Sequence, residues 1–191
     1  MAALAAAHAQ SLRAHFGEPV DVLGISTGGA IALQLVADHP TVVARLIVVA
    51  AASWLGEVGR AKLRQYGDEV AKGRSGARVL ASVLATPALE WLLAAGLWCA
   101  ARSGRNTDPA TMLATIDAEC GFDVTARLGE IKTPTLVIAG GRDRAFPLAL
   151  TQATAAGIRH AELKIYPRAG HIGAMLHPRF GADVAEFLNR A

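Results

Sequence analysis

Apolar residues in this chain are concentrated in four short runs that are rich in valine, isoleucine and leucine. In the first three runs the apolar residues follow one another with few polar interruptions, which is typical of strands in a parallel sheet that is covered on both faces. The fourth run is less regular and ends at a proline. Together the runs predict strands at residues 19–25, 44–50, 135–139 and 162–166.

Longer segments of helical composition lie before, between and after these strands. They predict helices at residues 2–16, 28–38 and 148–156, and a final helix within residues 172–190 that starts near Pro178. An alternation of strands and helices is typical of a parallel sheet built from right-handed crossovers. The predicted fold class is therefore α/β, with a parallel sheet of about four strands flanked by helices.

Residues 53–122 interrupt this alternation, because no strand pattern occurs among them. A connection of this length is far longer than an ordinary link between a strand and the next helix, so we expect a helical lid inserted into a core made of residues 1–52 and 123–191. Within the insertion, residues 79–101 are apolar enough to suggest a membrane span. Pro87 and Glu90 interrupt that stretch, and a buried or lid helix explains it better.

Composition narrows the function classes further. The chain has 191 residues, of which 52% are hydrophobic, and a net charge of +3 with both signs interleaved, so we expect one globular domain that binds neither nucleic acid nor membrane. No lysine or arginine precedes Arg13, which disfavours a signal peptide and favours a cytoplasmic location. Cys99 and Cys120 are expected to be reduced and mostly buried thiols. No metal-ligand or dinucleotide spacing is present, so no cofactor is expected.

The most informative motif is G-x-S-x-G at residues 24–28, which lies between a predicted strand and a predicted helix. In that context Ser26 occupies a sharp, strained turn, and side chains at positions 24 and 28 are expected to collide with the strand and helix that they face. The hydroxyl of Ser26 is then exposed. The N–H of Thr27, in the first turn of the helix, points to where an oxyanion would form.

A serine hydroxyl is a weak nucleophile unless a positioned base removes its proton. His171 follows the fourth strand on a predicted loop, and Asp143 follows the third strand, so both belong to the same edge of the sheet as Ser26. Other candidates for these two roles exist in the chain. They are Asp117 and Asp123 for the acid, and His160 and His177 for the base.

Three stretches in this order, around Ser26, around Asp143 (GGRDRAFP) and around His171 (AGHIG), make the chain similar to the α/β-hydrolase family. The resemblance implies that Ser26 is the nucleophile, His171 the general base and then acid, and Asp143 the residue that fixes the imidazole tautomer. It covers residues from about 17 to 191. The S-T-G-G form of the turn also resembles that of cofactor-free haloperoxidases or perhydrolases, and of some lactonases and esterases.

The chain departs from the family pattern before Ser26, where only 25 residues stand in place of several strands and a helix. It resembles a truncated α/β-hydrolase without the N-terminal half of the sheet and without the loop that supplies the second oxyanion donor. Loss of one such donor typically costs roughly 10²- to 10³-fold in rate. The strand at residues 19–25 would become an exposed edge, so we expect either self-association through it or cover by the first helix.

The expected function is a serine hydrolase that cleaves small carboxylic esters through an acyl-enzyme, with a small-molecule ester as its partner. Two alternatives stay open. The domain could be a catalytically weak or silent module for small-molecule binding or assembly, or it could be a cofactor-free perhydrolase or lactonase.

Overall fold

The computed structural model describes residues 1–85, 87–102 and 108–190. Its strands are β1 (Val20–Ile25), β2 (Val43–Val49), β3 (Thr135–Gly140) and β4 (Ala161–Tyr166). Its α-helices are α1 (Ala2–Phe16), α2 (Thr27–Asp38), α3 (Glu57–Ala71), α4 (Ala77–Leu84), α5 (Glu90–Arg102), α6 (Pro109–Cys120), α7 (Leu148–Gly157), α8 (His171–Met175) and α9 (Phe180–Leu188). Two short 3₁₀ helices occupy Pro40–Val42 and Thr125–Glu130.

The four strands form one parallel sheet in the order β1-β2-β3-β4. In this register Val48 of β2 lies between Gly24 of β1 and Val137 of β3. Each predicted strand is present, with bounds that differ from the prediction by one residue at most. The prediction of a four-stranded parallel α/β sheet flanked by helices is confirmed.

Side chains alternate between the two faces of the sheet, and each face has its own apolar cluster. Leu46 and Val48 of β2 pack with residues of α1 and α2 on one face. Ile47 and Val49 pack on the other face, where α9 contributes Phe187. Both clusters are shielded from water, so β2 is buried on both sides, as its nearly continuous apolar sequence indicates.

Within the described part of the chain, strand β1 lies at the edge of the sheet and pairs with β2 alone. Helix α1 packs against α2, where Ala5 and Ala9 are fully buried, and it leaves part of β1 uncovered. Leu23 of β1 is 42% exposed. Helix α1 therefore covers β1 only in part, so the cover that we expect from the first helix is incomplete.

The region between β2 and β3 contains helices α3, α4, α5 and α6, and among its described residues the one strand-like contact is the isolated bridge from Trp54 to Asp123. Residues 86 and 103–107 of the predicted 53–122 insertion lie outside the described part of the chain. Cys120 is buried, but Cys99 is exposed, so the expectation of a mostly buried thiol is wrong for Cys99. Over the described residues, none of the helices combines the length and apolar character needed to cross a membrane.

The predicted final helix is wrong in one respect, because two helices, α8 and α9, occupy its range. Pro178 follows His177 in the gap between them, and a proline disfavours helical geometry in the residue before it. The ring of His177 stacks on Tyr166 with centroids 3.8 Å apart, which fixes the chain in the gap. The first of the two helices begins at His171, which therefore does not lie on a loop.

Candidate active site

Ser26 lies at the junction of β1 and α2 in a left-handed backbone conformation, with φ 55° and ψ −124°. A residue with a side chain rarely adopts a positive φ, so this conformation is strained. Hydrogen bonds on both sides hold it. The Ser26 N–H donates to the Val49 carbonyl at 2.9 Å, and the Ser26 carbonyl accepts from Gly29 at 2.8 Å and Ala30 at 3.2 Å.

Two glycines allow this turn to form, and one of them, Gly24, is a position that the motif predicts. A Cβ on Gly24 would lie 2.3 Å from the Gly28 carbonyl oxygen, so position 24 requires glycine. A Cβ on Gly28 would meet nothing within 4 Å, and the expected collision at position 28 is wrong. The second tight position is Gly29, where a Cβ would lie 2.5 Å from the Cβ of Ala51. The position in α2 that has no room for a side chain is therefore one residue later than expected.

Asp143 lies in the turn that follows β3, and its side chain is buried. One carboxylate oxygen, Oδ1, accepts hydrogen bonds from the backbone N–H groups of Ala145 at 2.8 Å and Phe146 at 3.0 Å. These two bonds fix the carboxylate and leave Oδ2 free to bind a side chain from another segment of the chain.

His171, 3% exposed, joins Asp143 to Ser26. Its Nδ1 is 2.9 Å from Oδ2 of Asp143, and its Nε2 is 2.9 Å from Oγ of Ser26. If Nδ1–H donates to the carboxylate, Nε2 is left to accept the proton of the serine hydroxyl. The ring also stacks on Phe146 with centroids 5.9 Å apart. The structure thus brings together the three side chains that the sequence pattern selected.

Close contact between two loops places His171. A Cβ on Gly140, the last residue of β3, would lie 2.6 Å from the Gly170 carbonyl oxygen. One on Gly141 would lie 2.6 Å from the carbonyl oxygen of Pro167. The absence of side chains at these glycines lets the segment after β4 lie directly on the end of β3, which brings His171 to Asp143.

The other candidates lie elsewhere. Asp117, Asp123 and His160 are exposed. Asp123 accepts a hydrogen bond from the Thr125 N–H, and His177 stacks on Tyr166. The structure brings none of these four candidates into hydrogen-bonding contact with Ser26 or Asp143.

Thr27 is the first residue of α2, so its N–H has no carbonyl within the helix to bond. This N–H is next to Ser26 at the positive end of the helix dipole, as expected of an oxyanion donor. The side chain of Thr27 has a partner that the sequence analysis missed. Its hydroxyl donates to Oε2 of Glu119 at 2.7 Å.

Glu119 is 6% exposed and comes from α6, 92 residues away along the chain from Thr27. Helical spacing could have found it, because Met112, Thr115, Ile116 and Glu119 recur at three- and four-residue intervals and share one face of α6. Burial raises the pKa of the Glu119 carboxyl above its usual 4.5, although the Thr27 hydrogen bond and the nearby His171 act in the opposite direction. An acidic side chain is thus buried beside the candidate nucleophile.

Ser26, Thr27 and Glu119 line a cavity of about 270 Å³. Helices α3, α4 and α6 contribute most of the remaining wall, and Ala145 and Phe146 close it near the Asp143 turn. The side chains contributed by the helices are mainly apolar: Leu63, Tyr66, Leu80, Val83, Leu84, Met112, Thr115 and Ile116. The described residues contain no group of three or more His, Cys, Asp or Glu side chains suited to a metal ion.

Comparison with known proteins gives a family and a fold. Residues 2–173 match the family described as serine aminopeptidase, S33. A candidate carbamate hydrolase RutD of Variovorax paradoxus (strain S110) is 32% identical over 182 residues, which are 88% of this chain and 65% of that protein. The chain thus spans less than two thirds of that relative.

Two further similarities agree with this result. A pimeloyl-[acyl-carrier protein] methyl ester esterase of Neisseria meningitidis serogroup B is 26% identical over 199 residues, which are 96% of this chain and 74% of that protein. The crystal structure of MGS-M2, an α/β-hydrolase enzyme from a Medee basin deep-sea metagenome library, superimposes with a TM-score of 0.80 at 23% identity. That match covers 95% of this chain and 70% of the other, and at this identity it shows the fold alone.

Replacing Gly24 by alanine should destabilise the fold by more than about 2 kcal/mol, because the added methyl group meets backbone that cannot move without breaking the turn. Gly28→Ala is the matched control. It adds the same methyl group to open space in a helix and should be neutral or stabilising by up to about 1 kcal/mol. Urea unfolding of both variants measures the difference, and equal stabilities would contradict the assigned contacts.

Replacing Glu119 by glutamine should raise the melting temperature increasingly as the pH rises from about 4 to about 8. The folded protein disfavours the ionised carboxylate, so the wild type is penalised above the unfolded-state pKa of 4.5, whereas glutamine carries no charge at any pH. Scanning calorimetry across this range measures the trend. Asp117→Asn, which removes an exposed carboxylate from the same helix, controls for net charge. A pH-independent difference for Glu119→Gln would contradict burial of an ionisable group.

Proposed function

The chain belongs to the serine aminopeptidase S33 family of α/β-hydrolases, and on that premise we propose that it is a serine hydrolase that cleaves small carboxylic esters. The observation that carries this proposal is the continuous chain of hydrogen bonds from Ser26 through His171 to Asp143, each link 2.9 Å long. Two relatives whose names specify hydrolysis of a carbamate and of a methyl ester support it.

In the first half of the reaction, Oγ of Ser26 attacks the ester carbonyl carbon while its proton passes to Nε2 of His171. A C–O bond forms, and the carbonyl oxygen becomes an oxyanion. When the tetrahedral intermediate collapses, the bond to the alcohol oxygen breaks and that oxygen takes the proton from Nε2. An alcohol leaves, and the acyl group stays on Ser26.

In the second half, water replaces the alcohol. Nε2 of His171 accepts a proton from the water as its oxygen attacks the acyl carbon, and the returning proton restores the Ser26 hydroxyl when the C–Oγ bond breaks. A carboxylic acid is released. Asp143, held by two backbone N–H groups, keeps the imidazole in position and stabilises its transient positive charge.

The N–H of Thr27 donates to the oxyanion in both halves, assisted by the dipole of α2. It is the one oxyanion donor that we assign in the described part of the chain.

Residues 53–122 act as a lid, on this proposal, over a core made of residues 1–52 and 123–191. Side chains of α3, α4 and α6 form the cavity wall over Ser26, which supports that division. A cavity of about 270 Å³ is smaller than the usual range for drug-sized ligands, and its wall is mostly apolar. Both properties favour short acyl chains or compact alcohols as substrates.

Ser26→Ala should abolish labelling by a fluorophosphonate probe and should lower turnover of p-nitrophenyl acetate and butyrate by at least roughly 10³-fold, because the attacking oxygen is lost. Ser11→Ala, which removes an exposed serine from α1, is the control and should behave like the wild type. Labelling is read by intact-mass spectrometry and turnover by release of p-nitrophenol. Turnover that survives in Ser26→Ala would refute the proposal, and absence of both activities in the wild type would favour a silent binding module.

We also propose that two copies of the chain associate through the edge of β1. The unpaired backbone groups of an edge strand readily pair with another strand, and the exposed Leu23 adds apolar area there.

Leu23→Lys should therefore convert a dimer into a monomer in multi-angle light scattering, because a charge blocks edge pairing. Leu176→Lys places the same charge at a leucine that is 74% exposed elsewhere and should leave the dimer intact. A wild-type protein that is monomeric over the whole accessible concentration range would rule this association out.

A further inference from the structure

The hydroxyl groups in the cavity wall beyond Ser26 already donate their protons to the protein. Thr27 donates to Oε2 of Glu119, Tyr66 donates to the sulfur of Met112 at 3.0 Å, and Thr115 donates to the backbone carbonyl of Thr111 at 2.9 Å. These groups are therefore poorly placed to donate a hydrogen bond to a substrate.

Glu119 differs from these groups, because only one of its two carboxyl oxygens has a hydrogen-bond partner among the described residues. The second oxygen, Oε1, is not a fully buried atom without a hydrogen-bond partner. Among the described residues, Nε of Arg60 is the one side-chain atom of that kind. Since the residue lines the cavity and is 6% exposed overall, a molecule in the cavity is the natural partner for this remaining oxygen.

The apolar wall of the cavity and the charges near it determine which chemical group of a bound molecule can form a hydrogen bond with the Glu119 carboxyl. An ammonium group would have to lose its water in a mostly apolar space, and His171 gains positive charge nearby during the reaction, so a cation is disfavoured. A carboxylate would face the Glu119 carboxyl directly and is disfavoured by the same desolvation. A hydroxyl group is neutral, and it can donate to an ionised carboxyl or accept from a protonated one.

We propose that Glu119 determines substrate specificity by hydrogen-bonding a hydroxyl group on the part of the substrate that fills the cavity, so that preferred substrates are small hydroxylated esters. This inference rests on the proposed ester hydrolysis at Ser26. Glu119 acts here as a binding residue, and no proton transfer of the reaction passes through it.

The preference can be measured as ratios of kcat/KM for matched pairs of esters. One pair carries the hydroxyl on the acyl side, p-nitrophenyl hydroxybutyrate against p-nitrophenyl butyrate. The other carries it on the alcohol side, butanediol monoacetate against butyl acetate. The wild type should prefer the hydroxylated member of at least one pair by about tenfold, the worth of one hydrogen bond in a buried site.

Three variants separate recognition from packing. Glu119→Leu should erase the preference by lowering kcat/KM for the hydroxylated ester more than for its unsubstituted partner, because leucine fills the space without a polar group. Glu119→Gln should keep most of the preference, since an amide also donates and accepts. Asp117→Leu, at an exposed position on α6, should leave the preference unchanged. An equal loss of both members of each pair in Glu119→Leu would show a structural role and overturn the proposal.

A binding measurement distinguishes failure of this inference from failure of the hydrolase proposal. In the Ser26→Ala background, butanediol should bind more tightly than butanol by ligand-observed NMR, and the additional Glu119→Leu change should remove the difference. Equal binding, or binding of neither alcohol, overturns the specificity role whatever the esterase assays give. A diol preference without Ser26-dependent turnover would retain the recognition site and reject the reaction.

Discussion

The backbone of Ser26 has a conformation that a residue with a side chain normally avoids, and the rest of the site is arranged around it. Strand β2 holds the turn from one side through the Val49 carbonyl, and the first turn of α2 holds it from the other. Neither attachment is possible unless α2 can approach β1 closely, which is why Gly24 is constrained by backbone contact. The position of the Ser26 hydroxyl is thus a consequence of helix-to-sheet packing.

The parallel sheet explains how distant residues meet at that hydroxyl. The carboxyl ends of β1, β3 and β4 lie at the same edge, so the segments that follow them deliver Ser26, Asp143 and His171 to one place. The two backbone N–H groups that bind Asp143 and the packing of the β4 loop on Gly140 fix the remaining freedom. Helices α3, α4 and α6 then enclose the space above, and α6 adds Glu119 from outside the sheet.

Much of this arrangement can be predicted from the sequence, because its signals are local. Short apolar runs identified all four strands, and glycine turns at strand ends located the three side chains that meet. Contacts between distant segments could not be predicted in the same way. Gly29 is constrained by Ala51, the final helix is divided at Pro178, and Glu119 meets Thr27 only after α6 folds over the sheet. Each of these three features depends on packing between segments that are distant in the sequence, so no short stretch of sequence reveals it.

Phe146 takes part in three separate functions of the site. Its N–H helps to hold the Asp143 carboxylate, its ring stacks on His171, and its side chain forms part of the cavity wall. A change of shape at this position would alter the acid, the base and the volume left for a ligand all at once. New selectivity is therefore expected to evolve through the apolar side chains that the helices contribute to the cavity wall.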